Sequence, residues 1–210
     1  MTKTLLALAL SIATLVASSG SAHAIPVVWG GNGHLYEVVL LADVPWGTAR
    51  SAAQALGPGW DLATITSAGE QAFIAGLLGP PPSPTRTVEY WVGGFQSPGS
   101  SEPGGSWQWI NGEGLFWDNG PVSGVFARWG NGEPNNLGGE NHLAVDNRFN
   151  VWGWNDNDRS IIGGINGYVA EWADCSPGCP APSPRVPAPS TFILLGIGLL
   201  GMAAHRLGRR

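Results

Sequence analysis

The chain has 210 residues, 43% of them apolar, with 32 Gly, 17 Pro and 11 Trp. That length suits one hydrophobic core and argues against two, while so many turn-formers and large aromatics argue against long helices. Lys3, Arg185, Arg206, Arg209 and Arg210 lie at the two ends, so residues 25–184 carry five Arg, no Lys and fifteen acids, a net −10; this excludes a nucleic-acid partner, which needs a basic footprint, and leaves cations and neutral ligands.

In chain order, a basic start at Lys3, an apolar stretch Leu5–Val16 and the small-residue pattern Ala22-His23-Ala24 read as a secretory signal over residues 1–24, cut after Ala24. Leu35–Trp46, rich in Val and Leu, reads as a strand. Thr48 then caps a helix whose Ala49, Ala52, Ala53 and Leu56 share a face, with Gly57 as its stop. A second helix opens on the capping-box spacing of Ser67 and Glu70, carries Phe73, Ile74, Leu77 and Leu78 as its apolar stripe, and ends at Gly79 and a Pro run. After Pro80–Pro84 the runs EYWVGGF, SWQWING, GLFW, NHLAV and GYVAEW alternate with turn residues and read as short strands. Trp117–Asn141 is a long polar loop of the kind a small domain keeps for function.

Four of these landmarks, in this order, resemble the C-type lectins: LATITSAGEQAF the second helix, YWVGG the core strand, and GEPNN and WND the long-loop motifs, across roughly Gly33–Trp172. The resemblance implies an α+β C-type lectin fold over residues 25–173, with two short helices and a small antiparallel sheet carrying a long calcium-binding loop. Members often hold this fold with two disulfides, yet residues 25–172 contain no Cys, so stability is expected to lean on the core and on bound Ca²⁺. Cys175 and Cys179 fall in a Pro-rich linker, residues 174–185, either as a small disulfide loop or as two thiols.

Calcium takes about six to eight oxygen ligands. Glu133, Asn135, Glu140, Asn155 and Asp156 can supply carboxylate and amide oxygens, and the resemblance implies that these five hold the principal Ca²⁺, with Pro134 a structural cis-proline. Glu133, Asn135, Glu140 and Asn155 would then bind carbohydrate, because a carboxylate accepts a hydrogen bond from a sugar hydroxyl and an Asn amide donates one to it; in the family, Glu-Pro-Asn goes with mannose-type hydroxyls. Trp129 and Trp154 either stack on the sugar or belong to the core. Asp118, Asn119, Asn136, Asn147 and Asn150 read as turn builders, and His142 as a strand residue. Asp146, Asn157 and Asp158 read either as an auxiliary Ca²⁺ site or as surface residues.

Residues 186–210 close the chain with a Pro-rich lead, an apolar run Thr191–Ala204 and Arg206, Arg209 and Arg210. They resemble a PEP-CTERM sorting tail, with Ala188 where the family usually has Glu. That implies an exosortase-like processing enzyme as a partner, transient membrane association, and delivery through the inner membrane to the surface or extracellular matrix of a Gram-negative bacterium. The expected function is an exported calcium-dependent lectin of mannose type that binds an extracellular polysaccharide or glycan. The alternative is a structural or protein-interaction module on the same fold that binds no sugar. No enzyme is expected and no catalytic residue is assigned: neither G-x-S-x-G nor H-E-x-x-H occurs, and paired carboxylates act only at a set separation.

Overall fold

The structure, a computed structural model, describes residues 21–82, 87–148, 151–158 and 164–173. The chain divides into two units, Met1–Cys179 and Pro180–Arg210. All described residues belong to the first; the bulk of the expected signal, both cysteines and the tail lie outside them.

The elements run β1 (Ala22–His23), β2 (Val27–Val28), β3 (Leu35–Leu40), α1 (Trp46–Gln54), β4 (Trp60–Leu62), α2 (Ala68–Leu78), β5 (Glu89–Gln96), β6 (Trp107–Trp109), β7 (Leu115–Trp117), β8 (His142–Asp146), β9 (Gly153–Asn157) and β10 (Ile165–Trp172). Strand β10 is the hub, antiparallel to β3 from Gly167 opposite Leu40 to Trp172 opposite Leu35, antiparallel to β4, and parallel to β5. From β5 the sheet continues antiparallel into β6 and β8, then from β6 to β7 and from β8 to β9. Among the described residues, two helices with a mostly antiparallel sheet make the α+β architecture that was expected.

Alternation along the strands feeds two core clusters. On β5, Val92 joins Tyr36, Ile74, Trp109, Leu143 and Trp154 in one, while Trp91 joins Val39, Ala49, Ala53, Leu62 and Tyr168 in the other. Helix α2 therefore serves the first cluster through Ile74, and α1 the second through its alanines.

Helix α1 starts two residues before the expected cap. Its N-cap is Pro45, with no side-chain capping bond, and Thr48 lies inside the first turn. Tertiary anchoring accounts for the shift: Trp46 Nε1 donates to Val92 O at 2.8 Å, and its ring stacks on His142. Gly57, at φ 145°, lies two residues beyond the C-cap Ala55 and opens the turn into β4. The strand after Leu35 also ends at Leu40, before Asp43 at φ 56° and Pro45 turn the chain.

At α2, Ser67 accepts Glu70 N at 3.2 Å, but the reciprocal half of the capping box is missing. The Glu70 carboxylate instead takes the N–H of Thr66 at 2.7 Å and its hydroxyl at 3.0 Å. Tyr36 explains why: its hydroxyl donates to Glu70 and lies 2.9 Å from Glu171, joining α2, β3 and β10 through one buried oxygen. Burial, and after it the charge of Glu70, push the Glu171 carboxyl above its ordinary range against hydrogen bonds from Thr64, His34 and Tyr36.

Two indole bonds fix the end of the hairpin that matters below. Trp154 Nε1 donates to Gln71 Oε1 and Trp152 Nε1 to Gly79 O, each at 2.7 Å, so β9 and the residue before it are moored to α2. Among the described residues, no helix is long and apolar enough to cross a membrane.

Candidate functional site

Strand β9 has the composition of a turn, Gly-Trp-Asn-Asp-Asn, yet all of it is buried. Its pairing with β8, Leu143 opposite Asp156 and Ala144 opposite Asn155, supplies the order that propensity does not. The long loop is clasped to it. Trp154 N donates to Arg128 O at 2.9 Å and Gly130 N to Trp154 O at 2.8 Å, and Trp129 bridges Trp154. The chain then turns at Glu133 N to Gly130 O, 3.1 Å, and the Glu133–Pro134 peptide bond is cis.

Beyond this turn the loop folds onto Asp156. Asn135 N donates to both Asp156 carboxylate oxygens at 3.0 Å, and Asn136 N to Oδ2 at 2.6 Å. Asn135 Nδ2 donates to Glu133, and Asn135 Oδ1 accepts Leu137 N at 2.7 Å. Glu140 Oε2 accepts the same Leu137 N at 2.9 Å, and Glu140 N donates to Asn136 Oδ1 at 2.6 Å. Asn136 makes that reach from a left-handed backbone, φ 52°, as a turn-building Asn does. Glu133, Asn135, Glu140 and Asp156 are thus one hydrogen-bonded group, and Asn155 meets Asn135 and Glu140 at a cavity of about 110 Å³.

The group carries more negative charge than its surroundings offset. Burial, then the hydrogen bond and charge of Asp156, push Glu133 up to about 7, with Glu140 adding to the rise and Arg148 opposing it. Among the described residues, no three His, Cys, Asp or Glu side chains are already gathered to hold a metal ion. The hydrogen bonds give the reason, since the carboxylate oxygens are turned onto loop amides rather than toward one common point. An ionised carboxylate offers about four lone-pair sites, so these bonds leave acceptor capacity, and three carboxylates with two amides form an all-oxygen donor set suited to a hard cation.

Of the other residues singled out in the sequence, Asn157 lines the same cavity and the rest do not. Asp146 is fully buried and taken by Arg148, whose N and Nε donate to it at 2.7 and 2.5 Å. Asp158 lies 3.0 Å from His142 Nδ1, and Asn157 Nδ2 donates to Glu89 at 2.5 Å. Asp146 and Asn157 are therefore both tied to the Glu89–Arg148 pair, while Asp158 faces His142. Trp154 has no exposed surface and belongs to the core, while Trp129 packs edge-on against Trp107 at 4.9 Å. Asn147 is no surface turn residue: fully buried, it accepts Val88 N at 2.7 Å and donates to Pro82 O at 3.0 Å. His142 opens β8, and burial lowers its pKa against the pull of Asp158.

Glu89 and Arg148, which line the same cavity, went unnoticed in the sequence. Burial and then the charge of Asp146 push Glu89 up to about 7. Its sequence signal was an acid at the head of the core strand run EYWVGGF. A larger apolar groove of about 680 Å³ runs beside α2, lined by Ala72, Ala75, Phe126 and Trp152 among others. It shares no residue with the acidic cavity and offers no carboxylate for ion or hydroxyl chemistry.

A family model described as the PEP-CTERM protein-sorting motif matches residues 185–210. No curated protein sequence matches the chain. Among solved structures, human lithostathine is similar with a TM-score of 0.52 at 16% identity, over 70% of this chain and 88% of that one. The C-type lectin CEL-I from Cucumaria echinata gives 0.50 at 18% identity, over 70% and 94%, and an EPNH mutant of CEL-I gives 0.51 at 19%, over 70% and 93%. At these identities the likeness shows the fold, which is that of the C-type lectins.

Proposed function

We propose that this C-type lectin-like fold, on a chain with a PEP-CTERM sorting motif, is an exported calcium-dependent carbohydrate-binding domain. The observation that carries the reading is the clasp of the long loop on β9, which gathers Glu133, Asn135, Glu140, Asn155 and Asp156 into one oxygen-rich, under-neutralised group. Ca²⁺ would be held by those five side chains and would supply a Lewis-acidic centre for sugar hydroxyls. This chain's own part is then to orient the hydroxyls. The Glu133 and Glu140 carboxylates would accept hydrogen bonds from them, and the Asn135 and Asn155 amides would donate hydrogen bonds to their oxygens. Trp154 is committed to the core, so affinity rests on polar contacts and a single site is weak unless displayed in several copies.

Two measurements test this. Calcium should raise the melting temperature relative to EDTA with a Kd on the order of 10⁻⁴–10⁻³ M, and a glycan array in Ca²⁺ should show mannose-type ligands. Glu133→Gln with Asn135→Asp keeps the oxygen count but exchanges which partner donates. Calcium affinity should survive while sugar preference shifts roughly ten- to hundredfold, as mispaired buried polar groups cost about 1–3 kcal/mol. A double variant with unaltered calcium affinity and unaltered sugar preference sinks the assigned selectivity. A protein indifferent to calcium sinks the calcium reading and favours the structural or protein-interaction module.

The sorting motif supports export and surface delivery; removal of the tail, and of residues 1–24 as a signal on the sequence pattern Ala22-His23-Ala24, is proposed with it. In the unprocessed chain Ala22 and His23 pair with Leu40 and Val39 of β3, and His23 Nδ1 lies 2.6 Å from Glu37 Oε1, contacts that cleavage after Ala24 would delete. Intact-mass measurement of exported protein should give a start at Ile25 and no Arg209 or Arg210; material that retains either end contradicts processing at that end.

A further inference from the structure

We propose that Arg148 is a built-in counter-cation of the acidic site, set there by two buried acids, and that it limits how strongly the site draws in a divalent cation. The inference rests on the calcium reading above.

Arg148 shares the cavity of about 110 Å³ with the proposed ligands Asn135, Glu140 and Asn155 and with Glu89 and Asn157. Its place is not left to a flexible side chain. Nε donates to Asp146 Oδ2 at 2.5 Å, the backbone N–H of the same residue binds Oδ1 at 2.7 Å, and a terminal nitrogen lies 3.7 Å from Glu89 Oε1. Asp146 on β8 and Glu89 on β5 are themselves opposite each other in the sheet, so both anchors sit on rigid strands. The guanidinium stays charged at any working pH. Among the described residues it is the one cationic side chain lining a cavity whose surroundings hold Glu89, Glu140, Glu133, Asp146 and Asp156.

Two consequences of opposite sign follow from that charge. Without calcium, Arg148 offsets acids that would otherwise repel, so it holds the site together. With calcium, it repels the incoming ion across a short, partly screened distance, which is worth about three- to tenfold in affinity at low salt. A residue that merely braces the hairpin would produce only the first effect.

The test uses purified full-length chain, with calcium affinity read from tryptophan fluorescence at pH 8 in low and high salt, and melting temperature read in EDTA. Arg148→Gln should bind Ca²⁺ about three- to tenfold tighter at low salt, with the gain shrinking at high salt, while its melting temperature in EDTA falls. Arg148→Lys restores the charge and should return calcium affinity to the wild-type value. Where Arg148→Gln does not fold, the double variant Arg148→Gln with Glu89→Gln, which removes the cation together with an acid it offsets, should bind Ca²⁺ more tightly than Glu89→Gln alone, and this decides the matter. Unchanged or weaker calcium binding in folded Arg148→Gln, or in the double variant relative to Glu89→Gln alone, overturns the proposal. Wild-type protein that binds no calcium overturns the calcium reading instead.

Discussion

Asp156→Ala should loosen the long loop and remove the response to calcium together. Asp156 is fully buried and receives two bonds from Asn135 N and one from Asn136 N. Deleting an ionised acceptor strands those amides, at a cost on the order of 3 kcal/mol. The relief of repulsion against Glu133 works the other way, but it is small because Glu133, pushed up to about 7, is already part-protonated near neutrality. A second loss is specific to the proposed metal: calcium at about ten times its Kd stabilises wild type by roughly 1.4 kcal/mol, and the variant should show none of it. Urea denaturation in EDTA and in Ca²⁺ separates the two quantities. Wild-type stability together with a wild-type calcium increment in Asp156→Ala would mean that this carboxylate neither clasps the loop nor binds the ion.

Gly167→Ala is expected to do more damage, and without touching the site. Gly167 stands opposite Leu40 in the β3–β10 ladder at φ 156°, and an added Cβ would lie 1.9 Å from Val39 O and 3.0 Å from Leu41 N. Both are backbone atoms, so no rotamer change relieves the overlap; β3 must part from β10, the strand that also carries β4 and β5. A cost above about 4 kcal/mol, enough to prevent folding in many domains, follows from that mechanism. Gly112→Ala provides the contrast, since at φ 87° its Cβ meets nothing within 4 Å and only the left-handed strain of about 1–2 kcal/mol remains. Circular-dichroism melts of the two variants should differ accordingly, and a Gly167→Ala melt like that of Gly112→Ala would contradict the packing at this crossing.

The residues that announce themselves locally were readable without coordinates. Ser67 and Glu70 at capping distance, followed by Phe73, Ile74, Leu77 and Leu78, specify α2, since capping and apolar period act within a few residues. The β-type runs specify β5, β8 and β10 for the same reason. Glu133-Pro134-Asn135 and Asn155-Asp156 stood out as oxygen donors in turn-rich sequence, and the structure brings those two segments into hydrogen-bond contact. What partners each donor was not readable. The sequence offers no sign that Asp156 would clasp the backbone of Asn135 and Asn136, or that Asn147, in the bend after β8, would be buried as a brace rather than lie at the surface.

Tertiary structure alone decided three further things. Gly153–Asn157 is a strand because β8 pairs with it and α2 holds Trp154 through Gln71, against the turn preference of Gly, Asn and Asp. Helix α1 begins at Trp46 because the Trp46 indole is bound to β5 and stacked on His142, which outweighs the cap that Thr48 could have offered. Glu89 and Arg148 meet at the acidic cavity because β5 and β8 pair with Glu89 opposite Asp146, bringing together charges far apart along the chain. The sequence by itself supplied the oxygen donors and their order along the chain; strand register and burial determined which acids lie together and which cation faces them, because Coulomb energy depends on distance in space and not along the chain.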